Sequence, residues 1–453
     1  MEAAAGGASP SSARNDWLAA GLAWGGLLLL PIGRIVEGWV IAMAIGGLWW
    51  IWKQPRQTFS DPRQRLFAAL FLSVWIPMLL SLPDAVVPAR TAQATAAFLR
   101  LYLCGVAIVA LLGGGRRWRL FELLCAITLA FWVLDGWVQV FSGHDLFGFA
   151  PEVGRINALF GERAPKFSLT LAMLAPLLVE TMRKRASWLW SAALAGITVA
   201  LVLIAGTRSG WISSAVLVVA YAIVYIRSRR PRPVPVLLGA AVSLAVLCTA
   251  LYLGSSRFRE RIDQTIVALT ATHGSPNAID HRYWIWKGAL RMYAANPING
   301  VGARNFRVAY RDYAAAGDPY LARTPPVSPT SSHQLVLEVG SETGTLGLLG
   351  LSVFAGILVT AVRAGKRARG VAPALCLLIA LFPLNTHLAF YSAFPSQLLF
   401  WLAALFCAAW MPGPTHRDRW RCAGAGQEAP PHPTPHRQLP RHGQSTGGKR
   451  RRR

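Results

Sequence analysis

Two arginines lie in polar stretches that border apolar segments. Arg208 is found in "LIAGTRSGWISSAV", and Arg282 begins the stretch "RYWIWKGAL". A guanidinium offers forked donors that match phosphate oxygens, whereas an arginine between two apolar helices is costly unless it pairs or lines a polar cavity. Arg208 is therefore a candidate anion ligand, with snorkelling to the membrane interface as the alternative. Taken alone, Arg282 is also compatible with an ordinary surface arginine.

His333 is a candidate general base. It follows "SPTSS", which supplies N-cap chemistry for a helix, and Ser331 with Gln334 fits a capping box. This pattern predicts His333 in the first helical turn, where the positive end of the helix dipole disfavours the imidazolium. A neutral imidazole can accept a proton near pH 7. A histidine that only hydrogen-bonds at a loop edge fits the spacing equally well.

Further polar candidates surround these three. Arg155 and Lys166 lie in "GRINALFGERAPKF". Arg155 is a third basic candidate, and Lys166 could equally be a solvated loop charge. Glu338 and Glu342 are one helical turn apart after His333, so one could orient the imidazole or both could line a polar groove. The predicted substrate-binding residues are Arg155, Lys166, Glu342, Gln334 and Trp286. Trp286 lies four positions after Arg282.

The elements that must position these residues are membrane helices. Of the 453 residues, 54% are hydrophobic and 15% charged, against about 25% charged in typical soluble domains. Twelve apolar segments approach or exceed the roughly 18 residues that span a bilayer. They are 17–33, 35–52, 66–82, 94–112, 119–141, 167–182, 187–205, 210–226, 234–253, 343–363, 371–388 and 393–412. The sequence predicts an all-α polytopic membrane protein with about twelve transmembrane helices.

The charges of the connections predict the topology. The basic stretches "KQPRQTFSDPRQR", "GGGRRWR", "RKR", "RSRRPRP" and "RAGKRARG" fall on one side with both termini, which is the cytoplasm by the positive-inside rule. One large periplasmic loop then separates spans nine and ten, and "HRYWIWKGALRMYAAN" within it predicts an amphipathic helix. The predicted regions are 1–16 (cytoplasmic), 17–253 (spans one to nine), 254–342 (periplasmic loop), 343–412 (spans ten to twelve) and 413–453 (disordered basic tail).

Composition also argues against several other classes. The net charge of +26 is concentrated in the tail and in short loops, which favours anionic lipid headgroups over nucleic acid as partners. The outer histidines show no metal-binding spacing and the cysteines no CxxC pair, so we predict neither metal nor cofactor. The outer acids show no paired-carboxylate pattern of the kind that suggests a hydrolase. A transporter would show charged or Gly/Pro-broken mid-membrane positions or internal repeats, and neither is clear.

Four stretches in order resemble the O-antigen ligase and polymerase superfamily of bacterial envelope glycosyltransferases. They are "GRINALFGE", "GTRSGW", "HRYWIWKGALRMYAANPINGVGARNF" and "SSHQLVLEVGSETGTLGLLG", from about Gly154 to Gly350. The resemblance implies that Arg208 and Arg282 bind a lipid diphosphate and that His333 is the catalytic base. Gln334 stands where the family usually has asparagine, and Ser331 where another histidine is common. Glu342 matches the family's "EtG" glutamate.

The resemblance implies an inverting, metal-independent glycosyltransferase in the inner membrane of a Gram-negative bacterium. Its donor would be a polysaccharide on undecaprenyl diphosphate, and its acceptor the lipid A–core of lipopolysaccharide. An O-antigen polymerase and a protein O-oligosaccharyltransferase remain alternatives within the superfamily. One dominant outer loop and a short polar tail favour the ligase. The sequence leaves the sugar, its linkage and the oligomeric state open.

Overall fold

The computed structural model describes residues 10–151, 155–161, 166–270, 278–325, 327–365, 367–384 and 389–411. The predicted disordered tail and two of the predicted outer histidines, His273 and His387, lie outside the described residues. The described helices are α1 (Pro10–Leu28), α2 (Ile35–Lys53), α3 (Pro55–Ser60), α4 (Pro62–Leu80), α5 (Pro88–Leu111), α6 (Gly115–Ser142), α7 (Phe167–Arg185), α8 (Trp188–Ile204), α9 (Arg208–Arg229), α10 (Pro233–Gly254), α11 (Ser256–Thr270), α12 (Ala278–Ala295), α13 (Phe306–Tyr313), α14 (Leu335–Ala364), α15 (Arg367–Ala380) and α16 (Ala393–Ala409).

The prediction of an all-α polytopic membrane protein is confirmed. Seven of the described helices are long and apolar enough to cross a membrane, namely α2, α4, α5, α6, α9, α10 and α14. Three shorter apolar helices are Trp188–Ile204, Gly370–Ala380 and Ala393–Ala409. Each of the twelve predicted spans overlaps one helix. The number twelve stays a prediction, because α1 and α7 fall in neither group.

Helix α7 forms the centre of the bundle. Every residue from Phe167 to Thr181 is buried, and the helix packs against α6, α8, α9 and α15. In contrast, α10 has no buried residue and is the most apolar of the candidate spans. A helix that is apolar all round and unburied by protein needs a nonpolar solvent, so α10 is suited to face lipid.

Contacts join connections within each of the two predicted sets, inner and outer, and the sidedness itself stays a prediction. On the predicted inner side, Arg117 pairs with Asp16 at 2.8 Å and Lys184 with Glu122 at 2.6 Å. On the predicted outer side, the Val86 backbone N–H donates to the carbonyl of Val301 at 3.0 Å. Contacts of this kind within each set are what the predicted alternation of loops requires.

The large connection between α10 and α14 carries its own small core. Helices α11, α12 and α13 occupy much of it. Ile285 and Met292 of α12 are buried together with Phe306 and Tyr310 of α13. The side chain of Tyr310 also donates to Asp318 at 2.7 Å. A packed core makes this connection a folded platform, as its length predicted.

Helix α14 is interrupted at Gly344, whose φ is +63°. The backbone N–H groups of Thr345 and Leu346 donate instead to the carbonyls of Pro297 (2.8 Å) and Ile298 (3.2 Å). A Cβ at position 344 would overlap the backbone at Ile298. The turn after α12 therefore replaces the hydrogen bonds that the break removes, and only glycine permits this approach.

Replacing Gly344 with alanine is expected to lower the free energy of unfolding by about 1–3 kcal/mol or more, because positive φ and the clash with Ile298 add together. Gly356→Ala is the matched control, since a Cβ at position 356 of the same helix meets no atom within 4 Å. Thermal unfolding in detergent measures both. Equal melting temperatures for the two variants would contradict the assignment of the break.

Candidate functional site

The stretch "GTRSGW" forms a tight turn that begins α9. Gly206 has φ +79°, a conformation that favours glycine. Thr207 is the N-cap, and its hydroxyl accepts from the Gly210 N–H at 3.3 Å and lies 2.7 Å from the Ser168 hydroxyl. Arg208 is consequently the first helical residue, half-buried and fixed at the start of α9.

A threonine of the large connection orients the Arg208 guanidinium. Its Nε donates to the hydroxyl of Thr265 at 3.0 Å, and that hydroxyl donates to the Arg261 carbonyl at 2.7 Å. Arg261 also packs against Gly206. Sequence reasoning missed Thr265 and Arg261; their spacing of four residues on the amphipathic α11 is the signal that could have indicated them.

Arg282 brings the basic residues together. It is half-buried on α12. Burial lowers the pKa of its guanidinium below the ordinary value, and the positive charges of Arg208 and Arg155 lower it further. The four residues Arg155, Arg208, Arg282 and His333 form what we call the arginine–histidine cluster. The structure thus assembles four separate polar stretches of the sequence into one basic site.

The backbone at His333 differs from the predicted helical turn. Helix α14 begins at Leu335, and its N-cap is Gln334 instead of Ser331, so His333 precedes the helix. Its φ is +54°, and its N–H is 3.3 Å from the Ser331 hydroxyl. The predicted capping box is therefore wrong, because the serines stabilise the loop through local hydrogen bonds of their own. A left-handed non-glycine residue is a strained conformation typical of functional sites.

The imidazole of His333 is disposed to be neutral. Burial lowers the pKa of His333 below its ordinary 6.5, and the positive charge of Arg282 lowers it further. The predicted direction agrees, but the physical causes are desolvation and a neighbouring cation instead of the helix dipole. A neutral imidazole retains the lone pair that a general base needs.

Trp286 and Gln334 fix the loop that carries His333. The indole N–H of Trp286 donates to the Ser332 carbonyl at 3.1 Å, which joins α12 to this loop. The Gln334 amide accepts from the Leu337 N–H at 2.6 Å and donates to the Pro383 carbonyl at 2.7 Å. Both side chains have positioning roles in the described structure, and their contact with substrate stays a prediction.

Glu342 is buried and holds the backbone of the turn before α13 in place. Its two carboxylate oxygens accept from the backbone N–H groups of Arg304 (2.6 Å) and Phe306 (3.1 Å). Glu338, one turn earlier, accepts from the Tyr391 N–H at 3.4 Å, and its other oxygen is buried without a hydrogen-bond partner among the described residues. Glu342 therefore acts on the start of α13, and its predicted contact with substrate remains untested.

The two glutamates are expected to respond differently to substitution by glutamine. Glu342→Gln turns an NH₂ group toward a backbone N–H and is expected to cost about 1–3 kcal/mol of stability. Glu338→Gln is expected to cost less, because its hydrogen bond from the Tyr391 N–H is long, at 3.4 Å. Denaturant or thermal unfolding of both variants checks this order, and an equal loss would contradict it.

Arg155 and Lys166 have different surroundings. The loop with Arg155 is anchored to α6, where Asp135 accepts from the Leu146 and Leu159 N–H groups at 2.8 Å each. Sequence reasoning gave Asp135 no role. Lys166 is exposed, with Nζ 4.7 Å from the centre of the Phe394 ring, and it lines a separate cleft of about 660 Å³. The structure brings Arg155 to the cluster and places Lys166 in that other cleft.

No group of three or more potential metal ligands occurs among the side chains of the described ranges. The absence of a metal from the reaction stays a prediction. The chemistry available at the arginine–histidine cluster is anion binding by guanidinium groups and proton acceptance by a neutral imidazole.

Comparison with protein families supports the resemblance seen in the motifs. Residues 192–352 match the O-antigen ligase family. This segment contains Arg208, Arg282 and His333, together with the turn and helix break that surround Glu342. Arg155 precedes it, so the expected start near Gly154 lies outside the match. No curated protein matches the chain. The match supports a membrane enzyme of the O-antigen ligase and polymerase superfamily.

Proposed function

We propose that the protein is an inverting glycosyltransferase that moves a polysaccharide from undecaprenyl diphosphate to the lipid A–core of lipopolysaccharide. The reaction takes place at the periplasmic face of the inner membrane. A lipid-linked donor suits this face, because nucleotide-sugars are not available there.

One observation carries this proposal: two arginines from separate parts of the chain converge on a half-buried histidine. The positive charge of Arg208 lowers the pKa of Arg282, and the positive charge of Arg282 lowers the pKa of His333. Three positive side chains lie close together, with Arg155 as the third, and a bound anion reduces their mutual repulsion. A diphosphate supplies that charge, and guanidinium forks match its oxygens.

The reaction follows from the two chemistries of the cluster. Arg208 and Arg282 bind the diphosphate and stabilise the charge that develops on it as the leaving group. His333 accepts the proton of an acceptor hydroxyl while that oxygen attacks the anomeric carbon. The new C–O glycosidic bond forms as the bond from the anomeric carbon to the phosphate oxygen breaks. Undecaprenyl diphosphate departs, and a single displacement inverts the anomeric configuration.

The acceptor distinguishes a ligase from its relatives. A single dominant outer connection and the description of the matching family favour the ligase. The test is a lipopolysaccharide gel of a strain that lacks the protein, with accumulated lipid-linked polymer measured beside it. Core-only lipopolysaccharide with accumulated polymer supports a ligase. Core carrying one repeat unit would establish a polymerase instead, and a normal ladder would refute both.

A catalytic assay completes the test. The purified full-length protein is given a polysaccharide on undecaprenyl diphosphate and a lipid A–core acceptor, with EDTA present. Formation of the capped acceptor is expected, because the cluster supplies charge stabilisation and a base without a metal. Transfer that requires an added divalent cation would contradict the metal-independent mechanism.

A further inference from the structure

A second basic cavity lies apart from the arginine–histidine cluster and shares no residue with it. Its volume is about 430 Å³, and it is bounded by α5, the turn before α13, and the start of α16. Three arginines line it: Arg90 and Arg100 from α5, and Arg304 from the turn. The proposed reaction gives these residues no role, which makes the cavity a candidate for a separate ligand.

The two arginines at one end are held in place by hydrogen bonds of their neighbours. Thr91, next to Arg90, donates to the carbonyl of Ala303 at 3.1 Å and accepts from the Asn305 amide at 2.8 Å. Arg304 lies between Ala303 and Asn305, with φ +68° and its N–H bound to Glu342. The start of α5 and the turn are therefore tied together, and both guanidinium groups belong to one preformed wall.

Arg90 and Arg304 have no direct side-chain partner within the described ranges. Within the described ranges, neither the Arg90 nor the Arg304 side chain makes a hydrogen bond or ion pair, whereas Arg100 pairs with Glu37 at 3.0 Å. Glu342 acts electrostatically on both arginines and Glu338 acts on Arg304, but the Glu342 oxygens accept from backbone N–H groups and form no ion pair with either guanidinium. Two guanidinium groups facing a cavity favour a bound anion, and their forked donors suit phosphate.

The apolar part of the cavity wall is suited to an acyl chain. Arg90, Ala94, Ala97 and Arg100 follow the helical spacing of one face of α5, and Phe98 adds an apolar surface. At a rise of about 1.5 Å per residue, this face runs roughly 15 Å from Arg90 to Arg100. The small alanines leave space beside a helix that is itself a candidate membrane span. A phosphate and a hydrocarbon chain can thus be accommodated by one continuous wall.

From these observations we infer that the cavity binds the phosphate group of a phosphorylated lipid that is not the diphosphate-linked donor. In the proposed reaction this lipid is the anchor of the acceptor, and that role rests on the proposed function. The inference that the cavity binds a phosphorylated lipid does not depend on the proposed function.

The binding test uses full-length protein in neutral detergent and native mass spectrometry. The probes are phosphatidic acid, which carries a phosphate monoester on a lipid, phosphatidylcholine and inorganic phosphate. Wild-type protein is expected to retain phosphatidic acid over phosphatidylcholine. Arg90→Gln and Arg304→Asn are each expected to weaken that binding about tenfold, since each removes one charge-assisted contact. Asparagine tolerates the left-handed backbone at position 304.

Two control variants make the result specific. Arg307→Gln removes an exposed arginine of α13 that does not line the cavity, and it is expected to bind phosphatidic acid as the wild type does. Arg208→Ala is also expected to retain this binding, although it slows transfer strongly under the proposed mechanism. Unchanged binding in Arg90→Gln and Arg304→Asn would overturn the inference. Displacement of the lipid by equimolar inorganic phosphate would overturn its assignment to a lipid-linked phosphate.

The kinetic readout separates this inference from the proposed function. If transfer occurs, Arg90→Gln is expected to raise KM for the acceptor about tenfold and leave KM for the donor unchanged. A rise in the donor KM instead would refute the acceptor role. If the wild-type protein shows no transfer, the proposed function fails while the lipid-binding measurement still decides the inference.

Discussion

Replacing His333 with alanine is expected to lower the rate of glycosyl transfer by roughly 10²–10⁴-fold, the usual loss when a positioned general base is removed. The half-buried imidazole lies beside Arg282, whose positive charge acts on it. Donor binding is expected to persist, because Arg208 and Arg282 remain. The measurement is transfer by purified protein, with the lipopolysaccharide ladder of a complemented strain as the cellular counterpart.

The control for this variant addresses the backbone. His333 has φ +54°, so alanine alters a strained position as well as removing the base. Asparagine adopts this conformation more readily but cannot accept a proton as imidazole does. His333→Asn is therefore expected to fold as the wild type does and to lose a similar factor in rate. Near-normal transfer by His333→Asn would refute the catalytic role.

The pH profile provides an independent check of His333. The base is active when neutral, and both burial and Arg282 lower its pKa below 6.5. The acidic limb of kcat/KM is therefore expected below pH 6.5, with a plateau at neutral pH. In the residual activity of Arg282→Gln, the loss of a positive charge is expected to raise the pKa of His333 and move that limb to higher pH. An unmoved limb would assign the titration to another group.

Arg208→Ala is expected to lower kcat/KM by roughly 10²–10³-fold, the magnitude found when one donor to a developing anion is removed. Arg208→Lys is expected to recover only part of the loss, because a lysine ammonium lacks the planar fork. The measurement is steady-state transfer with the concentration of the diphosphate-linked donor varied. Wild-type kinetics in Arg208→Ala would show that the guanidinium only snorkels to the interface.

Thr265 tests whether the orientation of Arg208 matters. Its hydroxyl accepts from Arg208 Nε at 3.0 Å. Thr265→Val retains the shape of the side chain but removes this acceptor, and it is expected to lower kcat/KM about tenfold, as the loss of one hydrogen bond to a charged group does. Thr265→Ser is expected to restore activity. A purely structural role would leave both variants equally impaired, and unfolding temperatures would then fall in parallel.

The elements that the sequence predicted well are those defined by local patterns. Apolar length located the segments now seen as helices. The start of α14 was misplaced, since Ser331 and Gln334 both have side chains that can cap. Gln334 is the N-cap in the structure, where its amide also reaches the Pro383 carbonyl. That second contact joins residues 49 positions apart, so the local sequence pattern does not reveal it.

By itself, the sequence determined the membrane-helical class and the kinds of chemistry present, because hydropathy and residue type are properties of short segments. Only the tertiary structure decided which of those residues meet. The bonds that build the site join Arg208 to Thr265 and Trp286 to Ser332, across separations of 57 and 46 residues. The neutrality of His333 depends in the same way on burial and on Arg282. Such contacts arise from packing between helices, which the periodicity of one segment does not encode.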